Sequence, residues 1–280
     1  MGKTVKITVL VDNEAPEGFA KEHGFSAWIE TADGQRILFD TGQLGALLTN
    51  AEKLGIDLAT ADALVFSHGH YDHTGQLPAF LEQNKTAHIY SCPQLEIGRY
   101  SCKIGTAPRF IGMPEASIKA LESISQDRIH ITSSPLYLTP GIAMTGPVPR
   151  SEAIEDTGGP FFLDDHRDTD DLITDDQSMW FETEKGLLIL LGCCHAGLVN
   201  TVEYIKAMSG KDKIYGIIGG MHLVNADQNR LDFTLANMKR WNPDVLVPCH
   251  CTGQAATEFL LKTIGDATVK PGHAGFVIEA

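Results

Sequence analysis

Ser67-His68-Gly69-His70-Tyr71-Asp72-His73-Thr74-Gly75 follows the apolar run Ala63-Leu64-Val65-Phe66. Three imidazoles and one carboxylate therefore stand where a strand ends and a loop begins, and that composition points to a metal site. Imidazole with carboxylate suits zinc, iron or manganese, and a thiolate-free cluster with room for water reads as catalytic rather than structural. His68 and His70, two apart, point the same way in extended backbone, while Asp72 and His73, just beyond, can turn toward a second ion. One loop then serves two divalent ions, with zinc the leading candidate and iron or manganese the alternatives. A polar surface loop with chance histidines is the bland reading, and it needs ligand types to fill most of the stretch by accident.

Upstream, Lys6 to Asp12 reads as a strand, and Ala27 to Glu30 with Ile37 to Phe39 reads as a strand pair joined by the turn Ala32-Asp33-Gly34. His23 precedes that pair at a place that could overlook the site. Asp40-Thr41-Gly42 ends the second strand, and Leu44, Leu47, Leu48, Ala51 and Leu54 recur at helical spacing behind it. Asp40 is expected to brace the histidine loop by hydrogen bonding.

Downstream, Pro93 to Gly159 is broken by glycines and prolines, with one helix marked by Pro114, Ile118, Leu121 and Ile124. The stretch is expected to be a lid-like insertion in a single domain spanning 1–280. Thr145-Gly146-Pro147-Val148-Pro149-Arg150 would present Arg150 rigidly to a phosphate or carboxylate. The acidic run from Asp164 to Asp176 reads as a solvated loop, in which Asp175 or Asp176 could still reach a metal.

The second half is more regular. Strands at Met179 to Thr183 and Leu187 to Gly192 are followed by two further strand-to-helix units, and the turns carry Cys193-Cys194-His195, Met221-His222 and Cys249-His250-Cys251. Successive strands of an α/β sheet place function at their carboxyl ends, so His195, His222 and His250 are expected on one rim with the first cluster. Alternation in extended backbone would turn Cys249 and Cys251 away from the metal of His250, which makes both packing residues first and redox or ligand residues as the alternative.

With 280 residues, 43% hydrophobic and 21% charged, the chain has the composition of a soluble globular protein. The start, Met1 to Lys6, passes straight into a β-like pattern, which reads as cytoplasmic. A formal net charge of −14 opposes nucleic acid or an acidic membrane surface as partner. The six cysteines form no C-x-x-C pair and are expected as free thiols. The partner expected is a small-molecule substrate; assembly with further copies of the chain stays open.

His-x-His-x-Asp-His after a strand, with Leu38-Phe39-Asp40-Thr41-Gly42 upstream, resembles the metallo-β-lactamase superfamily. Val11-Asp12-Asn13, Glu22 to Ser26, Thr145 to Arg150, Gly192 to His195, Gly219 to His222 and His250 to Gly253 are similar to its dihydropterin synthase-like branch. The resemblance implies an α/β fold, a four-layer αββα sandwich, with a dinuclear centre at one edge. It assigns metal to His68, His70, Asp72, His73 and His250. Many members place a bridging aspartate after a strand like Leu187 to Leu191, where this chain has Gly192-Cys193-Cys194-His195. His195 is the preferred ligand there, with Asp176 or a thiolate of Cys193 or Cys194 as alternatives. Asp72 and His195 are the expected catalytic residues, and His23, Arg150 and His222 the expected contacts to substrate. The leading function is metal-dependent hydrolysis of a small anionic, phosphorylated substrate. A transferase displacing diphosphate, a non-catalytic ligand sensor and an iron-dependent oxidoreductase are the competitors.

Overall fold

Alternating apolar residues set the layers of this molecule, a computed structural model describing residues 4–280. Met1 to Lys3, on which part of the cytoplasmic reading rests, lie outside the described residues. The chain runs through β1 (Val5–Val11), β2 (Ser26–Thr31), β3 (Arg36–Phe39), α1 (Ala46–Leu54), β4 (Ala63–Val65), the single turn α2 (Tyr71–Thr74), α3 (Leu77–Gln83) and β5 (His88–Ser91). Then come β6 (Tyr100–Ser101), β7 (Arg109–Phe110), α4 (Glu115–Glu122), β8 (Ile129–Ile131), β9 (Leu136–Thr139), β10 (Ile142–Met144) and β11 (Phe161–Phe162). The hairpin β12 (Met179–Thr183) and β13 (Gly186–Leu191) leads to α5 (Leu198–Ser209), β14 (Ile214–Gly220), α6 (Gln228–Trp241), β15 (Val245–Cys249), α7 (Gln254–Ile264) and β16 (Val277–Glu279).

A seven-stranded sheet has the order β16-β1-β2-β3-β4-β5-β8, and a six-stranded sheet the order β15-β14-β13-β12-β10-β9. The period of two along each strand sends its residues to two different cores. Ile37, Phe39, Ala63 and Val65 face the second sheet and meet Leu188, Leu190, Ile218 and Val247, whereas Leu38 and Leu64 face α1 and α3. Leu187, Ile189 and Leu191 likewise turn outward onto α5, α6 and α7. Each such valine, leucine, isoleucine or phenylalanine, fully buried, contributes about 1.5–3 kcal/mol to the fold. The result is the αββα order of layers.

β13, β14 and β15 are parallel and in register, with Leu191 opposite Gly219 and Gly219 opposite Pro248. Their carboxyl ends therefore open onto one rim. β4 is parallel to β3 and β5 in the other sheet and ends at Val65. Among the described residues no helix is long and apolar enough to cross a membrane.

Two expectations change. Leu44 is exposed and precedes α1, because the Glu22 carboxylate accepts from the backbone N–H groups of Gln43, Leu44 and Ala46 at 2.7, 2.8 and 3.0 Å and starts the helix there. The segment from Pro93 to Gly159 is also only partly lid-like. Its strands β8, β9 and β10 complete the edges of the two main sheets, and Ile142, Ala143 and Met144 are core residues. The part that stands over the rim is the pair β6-β7, which forms a small sheet with β11 just beyond the segment.

Candidate metal centre

Asp40 holds the histidine loop in place. It sits at the end of β3 in a left-handed conformation, φ 57°, and is fully buried. Its Oδ1 accepts from Ser67 N at 2.7 Å, and its Oδ2 accepts from Ser67 Oγ at 2.6 Å and from His73 Nδ1 at 2.7 Å. A carboxylate only accepts, so Nδ1 of His73 carries a proton and Nε2 is the nitrogen turned to the site. The same device recurs twice. His195 Nδ1 donates to the carbonyl of Thr157 at 2.8 Å, and His250 Nδ1 to the Asn13 side-chain oxygen at 2.8 Å.

With those nitrogens fixed, Nε2 of His195 and of His250 are buried and have no hydrogen-bond partner, and neither has Nε2 of His70. Unpaired buried polar atoms are costly. Three of them converging, with neighbours of the same kind, is what a cation would satisfy. His68, His70 and His195 place one ligand atom each within 4.8 Å of one another, as do His23, Asp72 and His250. Asp72 Oδ2 lies 3.4 Å from His250 Nε2 and 3.9 Å from His73 Nε2. The donors therefore fit two neighbouring ions, one among His68, His70 and His195 and the other among Asp72, His73 and His250.

Protonation agrees with that fit. Burial holds His68, His70 and His195 well below the ordinary imidazole range, helped at His68 and His195 by neighbouring histidines, so these rings are neutral. Burial alone would raise Asp72, but the His23 and His250 imidazoles beside it, with His73, outweigh it and hold the carboxyl well below its usual range. His73 is the exception: burial would lower it, yet the Asp40 and Asp72 carboxylates raise it to about 9, so an ion binding there displaces its Nε2 proton. Neutral imidazoles and an ionised carboxylate are the forms that bind a metal.

The remaining expected residues divide. His222, at φ 44°, sets its ring centroid 4.2 Å from that of His195, with the two planes tilted by 43°. A Cβ on Gly158, itself at φ +86°, would lie 1.8 Å from that ring, so only glycine admits it there. His23 is exposed at the mouth, with Nε2 3.0 Å from Asp72 Oδ2.

Arg150 does not reach the cavity: its guanidinium donates to the backbone carbonyls of His195 at 2.5 Å and Glu155 at 2.7 Å. Its rigid presentation serves the His195 loop, and the expected substrate contact is corrected to a bracing role.

Asp175 and Asp176 brace backbone as well. Asp175 accepts from Gly69 N at 2.9 Å and from Arg99 at 2.7 Å, and Asp176 accepts from Ala196 N at 2.8 Å. Burial raises Asp176 to about 7.

Of the thiols beside His195, Cys193 enters the site with its Sγ 3.1 Å from His73 Nε2, while Cys194, at φ 59°, turns back onto Thr201. Cys251 overturns the alternation argument. His250 is at φ 46° and opens a tight turn over His250–Thr252, so Cys251 comes round to join His250 and Cys193 in one ligand group. Cys249 stays in the core between the sheets.

A cavity of about 300 Å³ opens over these groups, walled by Phe161 and rimmed by Tyr71, Lys103 and Arg109. The Phe161 ring lies 5.5 and 5.4 Å from those of His70 and His195, and the Arg109 guanidinium lies 5.3 Å from the Tyr71 ring. Lys103 and Arg109 belong to the small sheet and the loop within it, where short strands leave no period to read. Asn13 was legible only as the residue after β1.

Comparison with known proteins agrees with the geometry. Over 288 aligned residues the chain is 31% identical to the 7,8-dihydropterin-6-methyl-4-(beta-D-ribofuranosyl)-aminobenzene-5'-phosphate synthase of Methanocaldococcus jannaschii, covering 98% of this chain and 96% of that one. The crystal structure of Tm1679, a metal-dependent hydrolase of the beta-lactamase superfamily, superposes with a TM-score of 0.81 at 26% identity, covering 99% of each chain. YhfI of Bacillus subtilis shares the fold, with a TM-score of 0.56 at 14% identity over 99% of this chain and 100% of that one. Residues 21–176 match the family description directly, and on both grounds the chain belongs to the metallo-beta-lactamase superfamily.

Proposed function

We propose that this chain is a hydrolase of a small phosphorylated molecule, working with two divalent ions, zinc foremost. The observation that carries the reading is the set of buried, unpartnered Nε2 atoms of His70, His195 and His250 beneath a cavity rimmed by Lys103 and Arg109. Divalent ions held there supply Lewis-acid polarisation of a phosphoryl oxygen and a water that is nucleophilic near neutral pH.

The chain's own groups do the rest. Asp72, ionised and 3.0 Å from His23 Nε2, orients the attacking water, while His23 at the mouth holds the carboxylate in place. Phe161 closes the opposite wall and keeps bulk water from the reacting centre. Lys103 and Arg109 give the cavity a local positive rim despite the acidic chain, because distant surface carboxylates are screened beyond about 8 Å at physiological salt.

A second reading, a transferase in which the same rim holds a diphosphate leaving group, is favoured by the synthase relative aligned over 98% of this chain. Assay of the purified protein with zinc, manganese or iron on phosphomonoester, phosphodiester, lactone and diphosphate panels separates the two. Phosphate release to water supports the first. Diphosphate release only when an amine or aromatic acceptor is added supports the second. Lactone opening without phosphate release would sink both.

Lys103→Ala and Arg109→Ala are each expected to raise KM for a phosphorylated substrate about tenfold, the size of one charge-assisted hydrogen bond. The dephosphorylated analogue should bind equally well to both variants and the parent. Equal weakening of the two ligands would show that these side chains act on the small sheet instead.

A further inference from the structure

We propose that Cys193 is a thiolate ligand bridging the two ions, with Cys251 adding a second sulfur on the His250 side. The inference rests on the two-ion reading above and is independent of the substrate.

Cys193 belongs to three separate ligand groups, with His68 and His73, with His195 and His222, and with His250 and Cys251. In each group the ligand atoms lie within 4.8 Å of one another. Its sulfur is thus within reach of both sets of imidazoles, the His68 and His195 side and the His73 and His250 side. No other side chain among the described residues is shared by as many of these groups.

The backbone is built to put it there. Gly192 packs so closely on Ser67 that a Cβ would lie 2.2 Å from Ser67 Oγ, and this fixes the end of β13 against the histidine loop. The left-handed turn at Cys194 then separates the two neighbouring thiols, one into the site and one onto Thr201. Cys193 and Cys251 are both buried, and both line the cavity with the unpartnered Nε2 atoms of His195 and His250. Those nitrogens are independent evidence that something other than protein completes the same groups.

Sulfur is suited to the position. A thiolate is a soft donor with several lone pairs, and it binds the ion that imidazole also favours. Binding breaks the S–H bond at each cysteine, the sulfur keeps the electron pair for the ion, and the proton passes to solvent. The centre would then be uneven: all-nitrogen protein donors plus the bridge on one side, and oxygen, nitrogen and two sulfurs on the other.

Cobalt(II) gives a readout without any substrate. Wild-type protein loaded with two equivalents should show an intense sulfur-to-cobalt charge-transfer band in the near ultraviolet. Cys193→Ser should lose most of it and Cys251→Ser a smaller part, while Cys194→Ser and Cys249→Ser keep it whole. Cys193→Asp should hold two ions by elemental analysis and lack the bridging part of the band.

If Cys193→Ser fails to fold, alkylation of the wild-type thiols read by mass spectrometry serves in its place. Bound cobalt should protect Cys193 and Cys251 from iodoacetamide relative to protein in chelator. Two ions bound with no sulfur band, an undiminished band in Cys193→Ser, or equal labelling with and without cobalt would each overturn the bridge. Failure of the phosphate assays would leave every one of these readings intact.

Discussion

Replacing His68 and His70 together by alanine is expected to remove at least one metal ion and to lower turnover by about a thousandfold or more, since metal ions supply several kcal/mol of transition-state stabilisation. The two rings contribute half of the ligand loop, and with His195 they form one complete set of nitrogen donors. Burial holds both rings neutral, so removing them deletes donors without stranding a charge. The fold should therefore persist, because the packing beneath is carried by Leu64, Phe66 and the two sheets. Elemental analysis, turnover and circular dichroism on the same preparation make the check. A folded double variant with its full metal content would show that the ions bind elsewhere.

The second large effect is expected at Asp40. Truncation to alanine leaves Ser67 N, Ser67 Oγ and His73 Nδ1 without their acceptor in a fully buried setting. Breaking a buried charged network of this kind costs about 3–5 kcal/mol. For a domain of this size that corresponds to a fall in melting temperature of about 6–15 °C. His73 also loses the partner that fixes its tautomer, so affinity for the ion beside Asp72 should drop about 10–100-fold. Asp40→Asn keeps the shape and should fall between, because one amide oxygen cannot accept all three bonds. Melting in chelator isolates the structural part, and metal titration the other. An Asp40→Ala protein that melts with the parent in chelator would mean that solvent or a neighbour replaces the carboxylate.

The residues that were legible from sequence are those whose reading needs only local order. Leu187 to Leu191, Ile214 to Ile218 and Val245 to Val247 are apolar runs bounded by turns, and each hands its strand end to a histidine. Parallel pairing then carries His195, His222 and His250 to one rim. Strands β8, β9 and β10 span three or four residues at or next to sheet edges, too short to show a period of two.

Arg150 shows a different limit. Its two prolines fix the backbone, yet which acceptor it meets depends on the loop carrying His195. Asp175 and Asp176 look like the exposed aspartates before them in sequence; what buries Asp175 is its pairing with Arg99, 76 residues away. Cys251 escapes the alternation rule because left-handed His250 breaks it, and histidine is no signal for that conformation in the way glycine is.

The proposed ligands come from both sheets: His68 to His73 follow β4 of the seven-stranded sheet, and His195 and His250 follow β13 and β15 of the six-stranded one. Occupancy is then coupled to the cohesion of the two halves. An unfolded chain would have to close a loop from residue 68 to residue 250 to offer the same donors, and the entropy of that closure is already met in the folded state. By mass action, free metal a thousandfold above its dissociation constant adds about 4 kcal/mol to folding stability. With ions held there, metal supply would add to folding stability, and so to how much of the chain survives proteolysis, before any substrate is met.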